Sequence, residues 1–403
     1  MKQAVWLAWA GAIAAAWGCA DFNKAQDDYC QRHAETCQKE PDTSGDEPTG
    51  IDQVSSREQH ILAIGNDGSV WAWGQNTTAQ LGDGTLQDRA RPTKLKGLSG
   101  IKSVAAGYGH SLAMGGGKVW RWGQIGSGEI RMTPTEVPEL SDIIAVAAGN
   151  LQSLALHQSG SVWVWGVDSA KQESDKPSIM KGLPQIDAIA AGGAHLLALD
   201  DKGAVWAWGD NSMRQLGKDN LEVSVTPVRV EGLPEIKSIA AGFNHSLALD
   251  MQGGVWAWGA NEAGQLGDGT KSSSRALPIQ VQGLEGITAL AAGTFHSLAL
   301  NRDNEVMAWG ADSAGQLGDD VEPQEQLRPV AVAPSVTSAL SISAGHAHSL
   351  AVLSNGCLFA WGANKNERLG VRTEWVRLLI PEMPNLPLGI IPVPAPVLSF
   401  CLN

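Results

Sequence analysis

Six of the nine histidines recur at regular intervals: His60, His110, His195, His245, His296 and His348. Imidazoles at equivalent places in a symmetric fold are what a ring-shaped metal site would need, since imidazole is a common zinc ligand. Distance argues against it. Zinc ligands lie about 2.1 Å from the metal, whereas equivalent residues on neighbouring packed sheets are about 10 Å apart. A hydrogen bond repeated once per unit is expected instead, with no metal and no cofactor. Asp83-Gly84 and Asp268-Gly269 lack the alternating acidic ligands of a calcium loop and read as turns. No Gly-x-Ser-x-Gly, His-Glu-x-x-His, P-loop or paired-acid motif occurs, so no catalytic residue is assigned and no enzyme is expected.

The spacing of the histidines comes from a repeat. Trp71-Ala72-Trp73-Gly74 returns around Trp120 and Trp122, Trp163 and Trp165, Trp206 and Trp208, and Trp256 and Trp258, then in worn form as Met307-Ala308-Trp309-Gly310 and Phe359-Ala360-Trp361-Gly362. Successive copies lie 43 to 52 residues apart. They account for a lopsided composition of 16 Trp against 5 Phe and 2 Tyr in 403 residues. A second motif precedes each copy, as in Ala105-Ala106-Gly107-x-x-His110-Ser111-Leu112-Ala113. Copy 1 is reduced to Ser55-Ser56-Arg57-x-x-His60, and copy 3 has Gln152 for His. A third follows, as in Gly264-Gln265-Leu266-Gly267-Asp268-Gly269-Thr270; copies 2 and 3 lack it. The formal net charge of −13 argues against nucleic acid or an anionic lipid surface as the main partner.

Within a unit the pattern is β. Val255-Trp256-Ala257-Trp258 alternates, which puts both indoles on one face of a strand. Pairs such as Asp67-Gly68 and Asn355-Gly356 suit two-residue hairpins. No repeat has a 3.6-residue apolar period of helical length. Four strands per unit and seven units predict an all-β fold, a seven-bladed β-propeller over 51–386. The closing strand of copy 7 is expected near Trp375–Pro381, with a Pro-rich tail, 387–403, packed on the propeller as an extended edge.

Residues 1–18 have a charged start and an apolar stretch of about 13 residues, short for a membrane span but right for a signal peptide. Gly18-Cys19 after it resembles the lipobox of bacterial lipoproteins. That resemblance implies a lipid on Cys19 and a place in the bacterial cell envelope, with outer-membrane sorting expected from Ala20. Residues 19–50 then hold Cys30, Cys37 and a polar linker. Four cysteines besides Cys19 suggest two disulfides in an exported chain, with three possible connectivities. The expected pairs are Cys30–Cys37, within one short segment, and Cys357–Cys401, joining copy 7 to a tail lying against it.

The three linked motifs resemble the regulator of chromosome condensation repeat family, over roughly residues 51 to 386. The resemblance implies the seven-bladed propeller, with the paired Trp and the His as structural repeat core. It is weak for function. A light-sensing relative carries Trp in a Gly-Trp-Arg-His-Thr signature; here those slots hold Tyr108-Gly109, Gly193-Ala194 and Phe243-Asn244, so photoreception is not implied. The intervals leave no room for the large insertion of the nucleotide-exchange relative. The expected function is a monomeric, membrane-anchored scaffold for a protein or glycan partner. The alternatives are a lyase or hydrolase with a loop-borne site and an inhibitor of another secreted protein. The loops look poor in aromatic anchors, which counts against the inhibitor.

Overall fold

Each repeat folds into one antiparallel sheet of four consecutive strands, and there are seven such sheets. This is a computed structural model, and it describes residues 50–126, 128–168, 170–319, 323–333, 335–365, 368–371 and 389–397. The sheets are the blades of a seven-bladed β-propeller: blade 1 over 51–94, then 103–136, 143–179, 186–229, 236–280, 287–331 and 339–396. No α-helix occurs among the described residues.

Position in the blade explains the composition of each strand. First strands such as Ile236–Ala241 line the central channel, where seven sheets crowd together and alanine fits. Second strands such as His245–Asp250 are buried from end to end, since neighbouring blades cover both faces. Third strands carry the Trp pairs. The second Trp of each pair is at most 2% exposed and packs on the preceding blade, as Trp258 does on Leu197, Leu199, Val205 and Leu216 of blade 4. The hairpin glycines Gly68 and Gly356 have φ of 73° and 79°, which Asp67-Gly68 and Asn355-Gly356 require.

Fourth strands form the rim, where an exposed ladder edge invites pairing with another chain. Every one contains proline: Pro92, Pro134, Pro177, Pro227, Pro278 and Pro329 in blades 1 to 6. This rule corrects the expected end of the propeller. The fourth strand of blade 7 is Ile390–Pro396, paired with the third strand Leu358–Ala363, and not 375–381. Pro394 precedes Ala395, which faces Ala360, just as Pro278 precedes Ile279, which faces Ala257. The tail is therefore the last blade's own rim strand, and the propeller continues past 386. The chain between 363 and 390 becomes the longest third-to-fourth-strand connection. Its middle, 372–388, lies outside the described residues.

First and last blades meet without exchanging a strand. The seam is held by apolar packing of Ile51, Val54, Trp71 and Trp73 with the blade 7 core, and by individual bonds: Ile51 N to Gly356 O at 3.1 Å, Ser56 N to Ser343 Oγ at 3.0 Å, and His348 Nε2 with Ser56 Oγ at 2.6 Å.

Candidate functional site

The two ends of the channel differ. One carries the hairpins between second and third strands. The other carries the Gly-x-x-His turns between first and second strands, together with the long connections between third and fourth strands. The second end bears the departures from the repeat.

The histidines stand just inside it and are structural. Each Nε2 meets a serine hydroxyl of the next blade: His60 with Ser111 at 2.9 Å, His110 with Ser153 at 3.0 Å, His195 with Ser246 at 3.0 Å, His245 with Ser297 at 3.0 Å, and His296 with Ser349 at 2.9 Å. Burial pushes all six imidazoles down to about 3, so they are neutral at ordinary pH. In blade 1 the place after His60 is Ile61, and the serine has moved to Ser56, its cross-strand partner. The junction of blades 3 and 4 is the exception, with Gln152 and Leu196 at the His and Ser positions. Among the described residues no group of three or more His, Cys, Asp or Glu is placed to hold a metal.

The Gln-Leu-Gly loops bind each blade to the next. The carbonyl of Gln215 accepts the Trp258 indole at 2.9 Å and the Ser246 hydroxyl at 3.0 Å. Gln80, Gln265 and Gln316 serve Trp122, Trp309 and Trp361 in the same way. Blades 2 and 3 lack this loop. The indole N–H groups of Trp165 and Trp208, on the blades that follow, are buried without a hydrogen-bond partner. Blades 2 and 3 are bridged by Arg121, which grips the Asp175 carboxylate through two bonds of 2.7 and 2.9 Å; Arg131 adds a third at 2.8 Å.

Around the channel mouth the turns form a ring. Those of blades 2 to 7 each pass a backbone N–H to the next blade, for instance Tyr108 N to Gly149 O at 3.2 Å and Phe243 N to Gly293 O at 3.1 Å. The ring displays Tyr108, Leu151 and Phe295, which are 54, 43 and 40% exposed. Phe243 lies partly buried against Gly193. His346 touches the carboxylate of Glu58 at 3.5 Å and the hydroxyl of Thr294 at 3.2 Å. Arg57 reaches across the mouth from blade 1. Most aromatics lie on strands, as expected, but the few in loops are gathered on this face. Among the described residues, every Phe and Tyr except Phe359 belongs to these turns. The signal was present in the x positions of Gly-x-x-His, three of which hold an aromatic side chain.

Cys357 is buried in blade 7. Cys19, Cys30, Cys37 and Cys401 lie outside the described residues, and with them the lipid site and both disulfides.

A ring of four-stranded blades stitched by His–Ser and Trp–Gln bonds, with a decorated turn face, defines a propeller of the repeat class anticipated from the motifs. The chain belongs to the RCC1-like domain family, whose model matches residues 130–383; the RCC1 repeat matches 67–114. It is 29% identical to the ultraviolet-B receptor UVR8 of Arabidopsis thaliana over 334 residues, covering 80% of this chain and 55% of that one. The probable E3 ubiquitin-protein ligase HERC4 of Rattus norvegicus is 38% identical over 89 residues, 22% of this chain and 8% of the ligase. The chain thus spans about half the length of one of these relatives and a small part of the other. Among solved structures, yeast RCC1 (Prp20) bound to Kap60 superposes with a TM-score of 0.71 at 22% identity, covering 90% of both chains. Human WBSCR16 gives 0.70 at 24% identity, with 82% of this chain and 93% of that one covered. These likenesses share the fold.

Proposed function

We propose that the chain is an interaction scaffold that docks a protein partner on the turn face of the propeller. The observation that carries this is the ring of Tyr108, Leu151 and Phe295 around the channel mouth. Aromatic and aliphatic anchors on a rigid frame are what protein interfaces use, and the frame limits the entropy lost on docking. The relation to a yeast RCC1 solved with Kap60 supports the reading by analogy. The test is a photo-cross-linking residue placed at Tyr108, Leu151 or Phe295, with the rim position Leu277, 67% exposed, as control. The face positions should trap one discrete partner and Leu277 none. Equal trapping at all four positions would sink the proposal.

The same reading places the scaffold in the bacterial envelope, held by a lipid on Cys19 and expected at the outer membrane. The Cys30–Cys37 and Cys357–Cys401 disulfides belong with it, since an exported chain meets an oxidising compartment. The described tail supports the second pair: Val397 N bonds Leu358 O at 2.8 Å, next to Cys357 and four residues before Cys401. Mass spectrometry of the mature N-terminus and non-reducing peptide mapping test these points. An unmodified Cys19, or a Cys37–Cys401 peptide, would overturn them.

A further inference from the structure

Six blades have glycine at the third position of the inner-strand motif: Gly107, Gly149, Gly192, Gly242, Gly293 and Gly345. The reason is steric in most of them, since a Cβ on Gly107 would lie 2.5 Å from Cε1 of His110. Blade 1 has Arg57 there instead. Its side chain leaves its own blade and crosses the channel mouth. Nε donates to Asn150 Oδ1 at 3.2 Å, Nη1 to Ala191 O at 2.8 Å and Nη2 to Gly242 O at 3.4 Å, on blades 3, 4 and 5.

None of these acceptors carries charge. Glu58 is the carboxylate whose field reaches the guanidinium, and it is engaged by His346. Burial lowers the Arg57 pKa to about 10, which leaves the group cationic at neutral pH. A guanidinium has five N–H bonds, so three donated bonds leave one hydrogen on each terminal nitrogen. The cavity beside it holds about 210 Å³ and is walled by alanines, Val104, Val146, Ile342 and a few serines. Among the described residues Arg57 is the one charged group in that wall. A partly desolvated cation held only by neutral oxygens gains from an anion.

We infer that the channel mouth is a carboxylate-binding site, with Arg57 as its anchor and the apolar wall receiving a short aliphatic stem. The planar fork suits a carboxylate, and one cation among alanines does not suit a doubly charged phosphate. The carboxylate comes from a free short-chain acid or from an acidic side chain of a docked polypeptide. Only the second source rests on the docking reading above.

Calorimetric titration of the full-length protein tests this with butyrate, butyramide, and blocked Gly-Glu-Gly and Gly-Gln-Gly peptides. Arg57→Gly, which restores the residue of the other blades, and Arg57→Met serve as variants. Butyrate binding that falls at least tenfold in both variants identifies a free acid as ligand. Binding confined to the Glu peptide, with the same loss, identifies a polypeptide side chain. The inference is overturned if neither carboxylate binds, if butyramide or the Gln peptide binds equally well, or if binding survives in both variants. A failed docking test with butyrate still bound would remove the scaffold reading alone.

Discussion

Nε2 of His348, in the last blade, lies 2.6 Å from the hydroxyl of Ser56, in the first. The ring closes on this bond, a few others and the apolar packing of Trp71 and Trp73 with blade 7, because among the described residues no strand is shared between blades 1 and 7. Ser56→Ala leaves a buried imidazole without its partner, which costs about 1–3 kcal/mol. The loss should exceed that of Ser153→Ala, where the neighbouring blades are also joined through the chain. Urea melts of both variants check the order; equal losses would mean the seam is no weaker than other junctions.

The same bond is missing between blades 3 and 4, where Gln152 and Leu196 replace its two ends. Gln152→His alone buries an imidazole facing Leu196, and Leu196→Ser alone buries a lone hydroxyl, so each should destabilise by about 1–3 kcal/mol. Together they rebuild the bond. A double-mutant cycle should give a favourable coupling between the two sites, and additivity would refute the account.

Tryptophans on the two kinds of junction should respond differently. Trp258→Phe removes an indole donor from the Gln215 carbonyl, whereas Trp208→Phe removes a donor that has no partner. The first should cost more, by roughly 1 kcal/mol or above. Truncation to alanine hides the difference under a common loss of about 3–5 kcal/mol from the cavity. Thermal melts of the two Phe variants decide the matter.

Stability should fall in mild acid. The six buried histidines have folded pKa values of about 3, against 6.5 when exposed. The unfolded chain therefore binds protons first, and their contribution, complete above pH 6.5, is lost as pH drops towards 3. Chemical denaturation between pH 7 and pH 4 should show this loss, and His245→Asn should shallow it.

Asp312 works in the opposite sense. Blades 1, 4, 5 and 7 have asparagine at its position, and Asn76 donates to Asp83 at 3.1 Å while its Oδ1 accepts from Leu81. Asp312 keeps the acceptor role towards Leu317, but burial and the Asp319 charge raise its pKa to about 6. Its protonated form is the one that suits the fold, so stability is lost as pH rises through 6. Asp312→Asn should stabilise the protein at pH 7.5 and give little at pH 4; a gain independent of pH would show that ionisation is not the cause.

The sequence alone determined the seven-unit β architecture and the buried roles of His and Trp. Such features repeat, and a repeat states its packing rule several times over. Residues used once were harder to read. Pro392, Pro394 and Pro396 predict an extended edge but do not say which one, and in the fold proline marks every rim strand. In the sequence Arg57 is only a departure of copy 1 from the motif, and Tyr108, Leu151 and Phe295 occupy variable x positions between Gly and the His or Gln. Nothing local to these residues says that they share a channel mouth. They lie on blades 1, 2, 3 and 6, and only closure of the ring brings them together. The bonds of Arg57 to Ala191 and Gly242 span 134 and 185 residues of chain. Tertiary structure decided the site because the site exists only across blades.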